Sequence, residues 1–134
     1  MAALLVTATS AQAQTIVNGD TIDYLGVVVH LWGIDVPRQG EVCADGWKAG
    51  DAALAHLKEY VKGRKVVCTL RGAADAARVA ALCTADGKDI SAEMAKAGVA
   101  WARTKETDDY TVQETDAMAQ VRGLHAHPCG DLKK

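Results

Sequence analysis

The sequence predicts an α+β domain that is mainly β, a small Greek-key barrel with helices packed on it. Three observations predict it. Residues 15–35 are rich in β-branched residues broken by tight-turn signals. Two more strand-like runs, at 65–70 and 78–85, follow one segment of helical periodicity. Two further helical segments close the chain, which gives the order β-β-β-α-β-β-α-α.

Each element has its own signal. Thr15-Ile16-Val17 is β-rich and Asn18-Gly19 supplies a turn. Residues 21–25 make a second strand, Gly26 turns, and residues 27–34 form the longest β-like run. Residues 45–62 read as a helix, capped by Asp45 and ended by Gly63, with Trp47, Leu54, Leu57 and Val61 on one face. Lys58 and Lys62 sit near its negative end. The strands at 65–70 and 78–85 flank a Gly/Ala/Asp loop, and Asp86-Gly87 is a turn. Residues 91–97 form a short helix closed by Gly98. Residues 110–122 form a third, with Tyr110, Ala117, Met118 and Val121 on one side, Gly123 as its stop, and Asp108 and Asp109 as caps.

A length of 134 residues fits one domain, residues 14–134, and 49% apolar composition favours a compact fold over disorder. Phenylalanine is absent, so the core rests on Val, Leu, Ile, Ala and the tryptophans Trp32, Trp47 and Trp101. No apolar run is long enough to span a bilayer. The net charge of −2 argues against a strongly basic protein that coats nucleic acid, while leaving room for a local basic site.

Residues 1–13 read as an export leader: Ala2 to Ala8 is small and apolar, and Ala11-Gln12-Ala13 has the form of a cleavage site. It lacks a basic residue after Met1 and its apolar stretch is short, which a start site assigned too late would explain; the alternative is a disordered or docked tail. A secreted or periplasmic location is expected, and a monomer. The four cysteines behind such a leader suggest two disulfides. Three pairings can be drawn. Cys68 with Cys83 is favoured because both lie on strands expected to pair, which leaves Cys43 with Cys129; unpaired buried thiols are the alternative. The spacing fits no zinc pattern.

Several fragments then line up in order. Asn18-Gly19-Asp20-Thr21, His30-Leu31-Trp32-Gly33-Ile34-Asp35-Val36-Pro37, Arg78-Val79-Ala80 with Asp86-Gly87-Lys88-Asp89-Ile90, Ala97-Gly98-Val99-Ala100-Trp101-Ala102 and Arg122-Gly123-Leu124-His125 span roughly residues 15–125. Together they resemble the thermonucleases, the staphylococcal-nuclease-like domains. Cys43-Ala44-Asp45-Gly46-Trp47 and His125-Ala126-His127-Pro128-Cys129 look like an exported bacterial branch of that family. The resemblance implies an OB-type five-stranded Greek-key barrel with three helices, and calcium-dependent cleavage of DNA or RNA phosphodiesters. Calcium is a hard cation that takes oxygen ligands and can polarise a phosphoryl group. Arginines offer planar, bidentate donors to phosphate.

Carried over by position, the resemblance gives Asp20 and Asp35 to the metal, with the carbonyl of Val36. Arg78 matches the second phosphate arginine, although the tyrosine and glycine before it are missing from Ala74-Asp75-Ala76-Ala77. His30 stands at the first arginine position. Arg38 stands where the family has the glutamate that activates water, and a guanidinium cannot act as that base. Glu41, three residues on, is the candidate substitute. Tyr110 is expected near the substrate. Taken alone, Asp20 and Asp35 are ordinary turn and strand-end residues. The leading expectation is a weak calcium-dependent nuclease. The alternative is a catalytically inactive OB-type module that binds nucleic acid, oligosaccharide or protein. A third is a polymer-processing accessory of the envelope.

Overall fold

The structure, a computed structural model, describes residues 14–75 and 78–133, with the backbone alone at 72–75 and 78. The proposed leader lies outside the described residues. Strands β1 (Gln14–Asn18), β2 (Thr21–Tyr24) and β3 (Val27–Leu31) form the expected antiparallel meander. Its second turn is Leu25-Gly26, both at positive φ (53° and 86°), which is the backbone twist that suits a two-residue hairpin.

The expected run over 27–34 is broken at Gly33. This glycine has φ +77°, and a Cβ on it would lie 2.5 Å from the Tyr110 ring. The chain turns there and sets β4 (Ile34–Asp35) apart from the main sheet. β4 pairs instead with β8 (Trp101–Ala102), with Asp35 opposite Trp101. The β-like run reads as one strand, but a glycine at positive φ turns the chain within it, and Tyr110 and Thr107 fill the space that a Cβ there would need.

Helix α1 (Ala49–Val61) starts four residues later than the periodicity suggests. Asp45 is not its cap: its carboxylate accepts from the Trp47 N–H at 3.1 Å and bonds the His127 ring at 2.7 Å. Ala53, Leu57 and Val61 face the core, and Gly63 follows at φ +71° as expected of a helix stop.

β5 (Val66–Asp75) and β6 (Arg78–Ala85) pair antiparallel, and β7 (Lys88–Asp89) pairs with β6. β6 also runs parallel to β3, with His30 opposite Ala80. The sheet order is β1-β2-β3-β6-β5. Among the described residues no ladder joins β1 to β5, so the expected five-stranded barrel is not closed. The end of α1 lies in that seam, where Gln14, Ile16, Val61, Lys62 and Arg64 help line an open cleft of about 510 Å³.

Helices α2 (Ile90–Lys96) and α3 (Thr111–Ala119) complete the α+β architecture with its three helices. α3 is shorter than expected: the chain leaves the helix at Val121 (φ 53°), and Met118 and Val121 are exposed rather than packed. Tyr110 is its N-cap residue and no side chain caps it, so Asp108 and Asp109 do not play that part.

One core joins Ile22, Val29, Leu31, Leu57, Ile90 and Met94 from the sheet and helices. A second cluster holds Cys43, Ala49, Trp101, Leu124 and Cys129. Both disulfides follow the favoured pairing. Cys68 and Cys83 are direct cross-strand partners with Cα atoms 4.0 Å apart. Cys43 and Cys129 are 4.5 Å apart at Cα and tie the C-terminal segment to the loop before α1. Among the described residues no helix is long and apolar enough to cross a membrane.

Candidate functional site

Asp20 lies in the turn between β1 and β2 and is 9% exposed. Its Oδ1 accepts from the Thr21 hydroxyl at 2.9 Å. The same hydroxyl oxygen lies 3.3 Å from His30 Nδ1 across the β2/β3 register. A hydroxyl has one proton, so with that proton on Asp20, Nδ1 of His30 is the donor to Thr21. The Asp20 carbonyl accepts from the Leu31 N–H at 2.8 Å, which holds the turn against β3.

The metal residues expected from the sequence come from neighbouring segments. A Cβ on Gly19 would lie 3.2 Å from Val36 Cγ2 and 2.9 Å from the Ala53 Cβ. Only glycine lets the Asp20 turn approach the segment that follows Asp35 so closely. Asp35 is partly exposed, at the end of β4. Among the described residues no group of three or more His, Cys, Asp and Glu side chains that could hold a metal occurs. Asp20, Asp35 and the Val36 carbonyl all present oxygen, the donor type that a hard cation takes.

The phosphate side is less complete. Arg78 opens β6 opposite Asp75, and its side chain lies outside the described residues. His30 is half-buried in the Asp20–Thr21 chain of contacts. Arg38 is exposed just after buried Pro37, and among the described residues no carboxylate pairs with its guanidinium. Glu41 is held by the same loop: its Oε1 accepts from the Arg38 N–H at 2.5 Å, and its own N–H donates to the Arg38 carbonyl at 2.9 Å. The Gly50 N–H then donates to the Glu41 carbonyl at 3.1 Å. A Cβ on Gly50 would overlap the Arg38 carbonyl oxygen, 1.8 Å away, so this glycine permits the loop to sit on the start of α1. Glu41 thus closes a turn, an arrangement unlike a base aimed at water.

Tyr110, expected near a substrate, is 2% exposed. Its hydroxyl donates to Asp89 Oδ2 at 2.6 Å, and burial, then that bond, pushes the phenol well above its ordinary pKa. The same Asp89 caps α2 by accepting from the N–H groups of Ser91 and Ala92. The geometry gives Tyr110 a place in the core and no surface for a ligand.

Arg103 escaped the sequence reading. Its N–H donates to the Gly33 carbonyl at 2.7 Å. Its Nε lies 3.1 Å from Glu106, and Nη1 lies 3.4 Å from Asp35 Oδ1. A cleft of about 420 Å³ opens there, lined by Asp35, Trp101, Arg103, Lys105, Glu114 and Lys133. The available signal was its place directly after the Ala97–Ala102 fragment, whose last two residues form β8. A larger cavity of about 610 Å³, walled by Tyr60, Lys88, Glu93, Lys96 and Gln113 among others, contains none of the metal, phosphate or base residues expected from the sequence.

Residues 28–126 match the model of the family described as staphylococcal nuclease homologue. The chain is also similar to the succinoglycan biosynthesis protein ExoI of Rhizobium meliloti (strain 1021), with 29% identity over 110 residues. That similarity covers 73% of this chain and 58% of ExoI, so the chain spans less than two thirds of that relative.

Proposed function

The chain belongs to the family of staphylococcal nuclease homologues, and from that premise we propose that it is a slow, calcium-dependent phosphodiesterase acting on DNA or RNA. The reading rests chiefly on the contact of Gly19 with Val36, which sets the Asp20 turn beside the end of β4 where Asp35 stands. Asp20, Asp35 and the Val36 carbonyl would hold the cation. Bound there, calcium supplies charge that polarises the scissile phosphoryl group. Arg78 grips a phosphate oxygen, and His30, anchored through Thr21, stands where a second guanidinium would be stronger.

The rate is low because the water-activating position carries Arg38. Loss of a positioned general base costs about 10²–10⁴ in rate. Loss of one charge-stabilising donor costs on the order of 10²–10³. The two disulfides support an oxidising compartment, the periplasm or the exterior.

The test is cleavage of single- and double-stranded DNA and RNA by the purified protein, with calcium and with chelator. Slow cleavage that needs calcium and drops at least about 10²-fold in Asp35→Ala is expected. Absence of cleavage at high protein concentration with calcium rules the reading out.

A second reading, a non-catalytic binding module for nucleic acid, oligosaccharide or protein, is favoured by one observation. Glu41, the nearest substitute base, is engaged with the backbone of its own loop. The similarity to a protein of succinoglycan biosynthesis gives the oligosaccharide version its support. It predicts ligand binding without turnover.

A further inference from the structure

We propose that Arg103 is a phosphate-binding residue, and that the cleft between Asp35 and Lys133 takes a backbone phosphate of a polynucleotide. The substrate class rests on the phosphodiesterase reading; the anion site itself does not depend on calcium.

Arg103 is fixed from behind. Its backbone is tied to Gly33, and its Nε faces Glu106, whose side chain is only 4% exposed. The forward edge of the guanidinium reaches the cleft, where the side chain is 26% exposed. Of its five N–H groups, one donates to Asp35 at 3.4 Å, near the limit of a hydrogen bond, while Glu106 is held as an ion pair 3.1 Å from Nε. The outer edge keeps donors in the planar fork that matches two phosphate oxygens.

Three cationic side chains, Arg103, Lys105 and Lys133, and two carboxylates, Asp35 and Glu114, line the cleft around it. Glu114 is turned to the backbone, with Oε2 accepting from the Ala102 N–H at 2.6 Å. A cavity of about 420 Å³ has room for a phosphate and its sugar. Arg103, the residue just after β8, thus brings a guanidinium to the Asp35 end of the site, with its backbone N–H tied to Gly33. His30 is a weak substitute for that charge from the β3 side.

The test is anisotropy of a short fluorescein-labelled single-stranded DNA with the full chain in chelator, over a range of salt. Arg103→Gln is expected to weaken binding about tenfold or more, as loss of a charged hydrogen bond does. It should also make the salt dependence shallower by about 0.7 in log–log slope. Arg103→Lys should recover part of the affinity, and the exposed pair Lys105→Gln/Lys133→Gln should flatten the slope by about 1.4. Asp35→Asn should bind as well or better, because a competing carboxylate is neutralised. If Arg103→Gln does not fold by circular dichroism, the lysine pair and Arg103→Lys decide. No binding by the wild-type protein overturns the proposal. So does wild-type affinity and slope in Arg103→Gln or in the lysine pair, or competition by alginate as effective as by unlabelled DNA. Absence of calcium-dependent cleavage with Arg103-dependent DNA binding intact removes the nuclease reading and leaves this one. Cleavage with Arg103-independent binding does the reverse.

Discussion

Arg38 and His30 are the residues at which chemistry and scaffold part. The fold around them is retained: Pro37 and Val36 are buried, and His30 sits in register between β2 and β6. The double substitution His30→Arg/Arg38→Glu is therefore expected to raise calcium-dependent cleavage by about 10²–10⁴-fold. A nuclease assay beside the wild-type protein measures it, and an unchanged rate would mean that the defect lies elsewhere in the site.

His125 offers a second residue-scale outcome. Burial pushes its imidazole below the ordinary value of 6.5, with Glu114 partly opposing, and its buried Nε2 has no hydrogen-bond partner among the described residues. The folded pKa lies below the unfolded one, so the unfolded chain takes up the proton first as pH falls. Stability is full above about pH 6.5 and declines as acid carries the solution down toward the folded value. Thermal melts from neutral to acid pH should show that decline, and His125→Leu should flatten it. Parallel Tm profiles for the two proteins would discard the assignment.

Among the elements, α2 depends most on one side chain. Asp89 caps its first turn and accepts the hydroxyl proton of Tyr110 from the start of α3. Asp89→Ala removes a cap worth about 1 kcal/mol and orphans a buried hydroxyl at about 1–3 kcal/mol. A loss of about 2–4 kcal/mol in urea denaturation is expected, and less for Asp89→Asn, which keeps an accepting oxygen. A loss below about 1 kcal/mol for the alanine variant would mean that water replaces the carboxylate. The small sheet of β4 and β8 carries the site by a different logic: pairing of two residues from each strand brings Asp35 within reach of Arg103, the residue after β8, and Gly33 makes the turn into it.

For the whole molecule, the two disulfides differ in reach. Cys43–Cys129 spans 86 residues of sequence and Cys68–Cys83 spans 15. Loop-closure entropy makes the first worth about 4–5 kcal/mol and the second about 3 kcal/mol. The long link is reinforced by the His127–Asp45 contact and by the Trp47 ring stacked on His127, with centroids 4.4 Å apart. Replacing Cys43 and Cys129 with serine should lower Tm more than replacing Cys68 and Cys83, and the reverse order would assign the larger constraint to the sheet. Because Lys133 lies four residues beyond Cys129, the same link should also hold the basic rim of the Arg103 cleft in place.

Local patterning alone announced the meander, three helices and the strand pair that sets Cys68 opposite Cys83, because periodicity and turn residues act over short stretches of chain. Motif order announced the family and the sequence neighbourhoods of Asp20 and Asp35. Tertiary contacts decided the rest. Tyr110 and Thr107, remote in sequence, pack where the chain turns at Gly33 between β3 and β4, Asp45 bonds a histidine near the C-terminus instead of capping α1, and the residue after β8, Arg103, meets Asp35. The open seam between β1 and β5 belongs to the same class, for the end of α1 lies where those edges would meet. Each joins groups far apart along the chain, and residue spacing encodes only what neighbours within a turn or a strand do to one another.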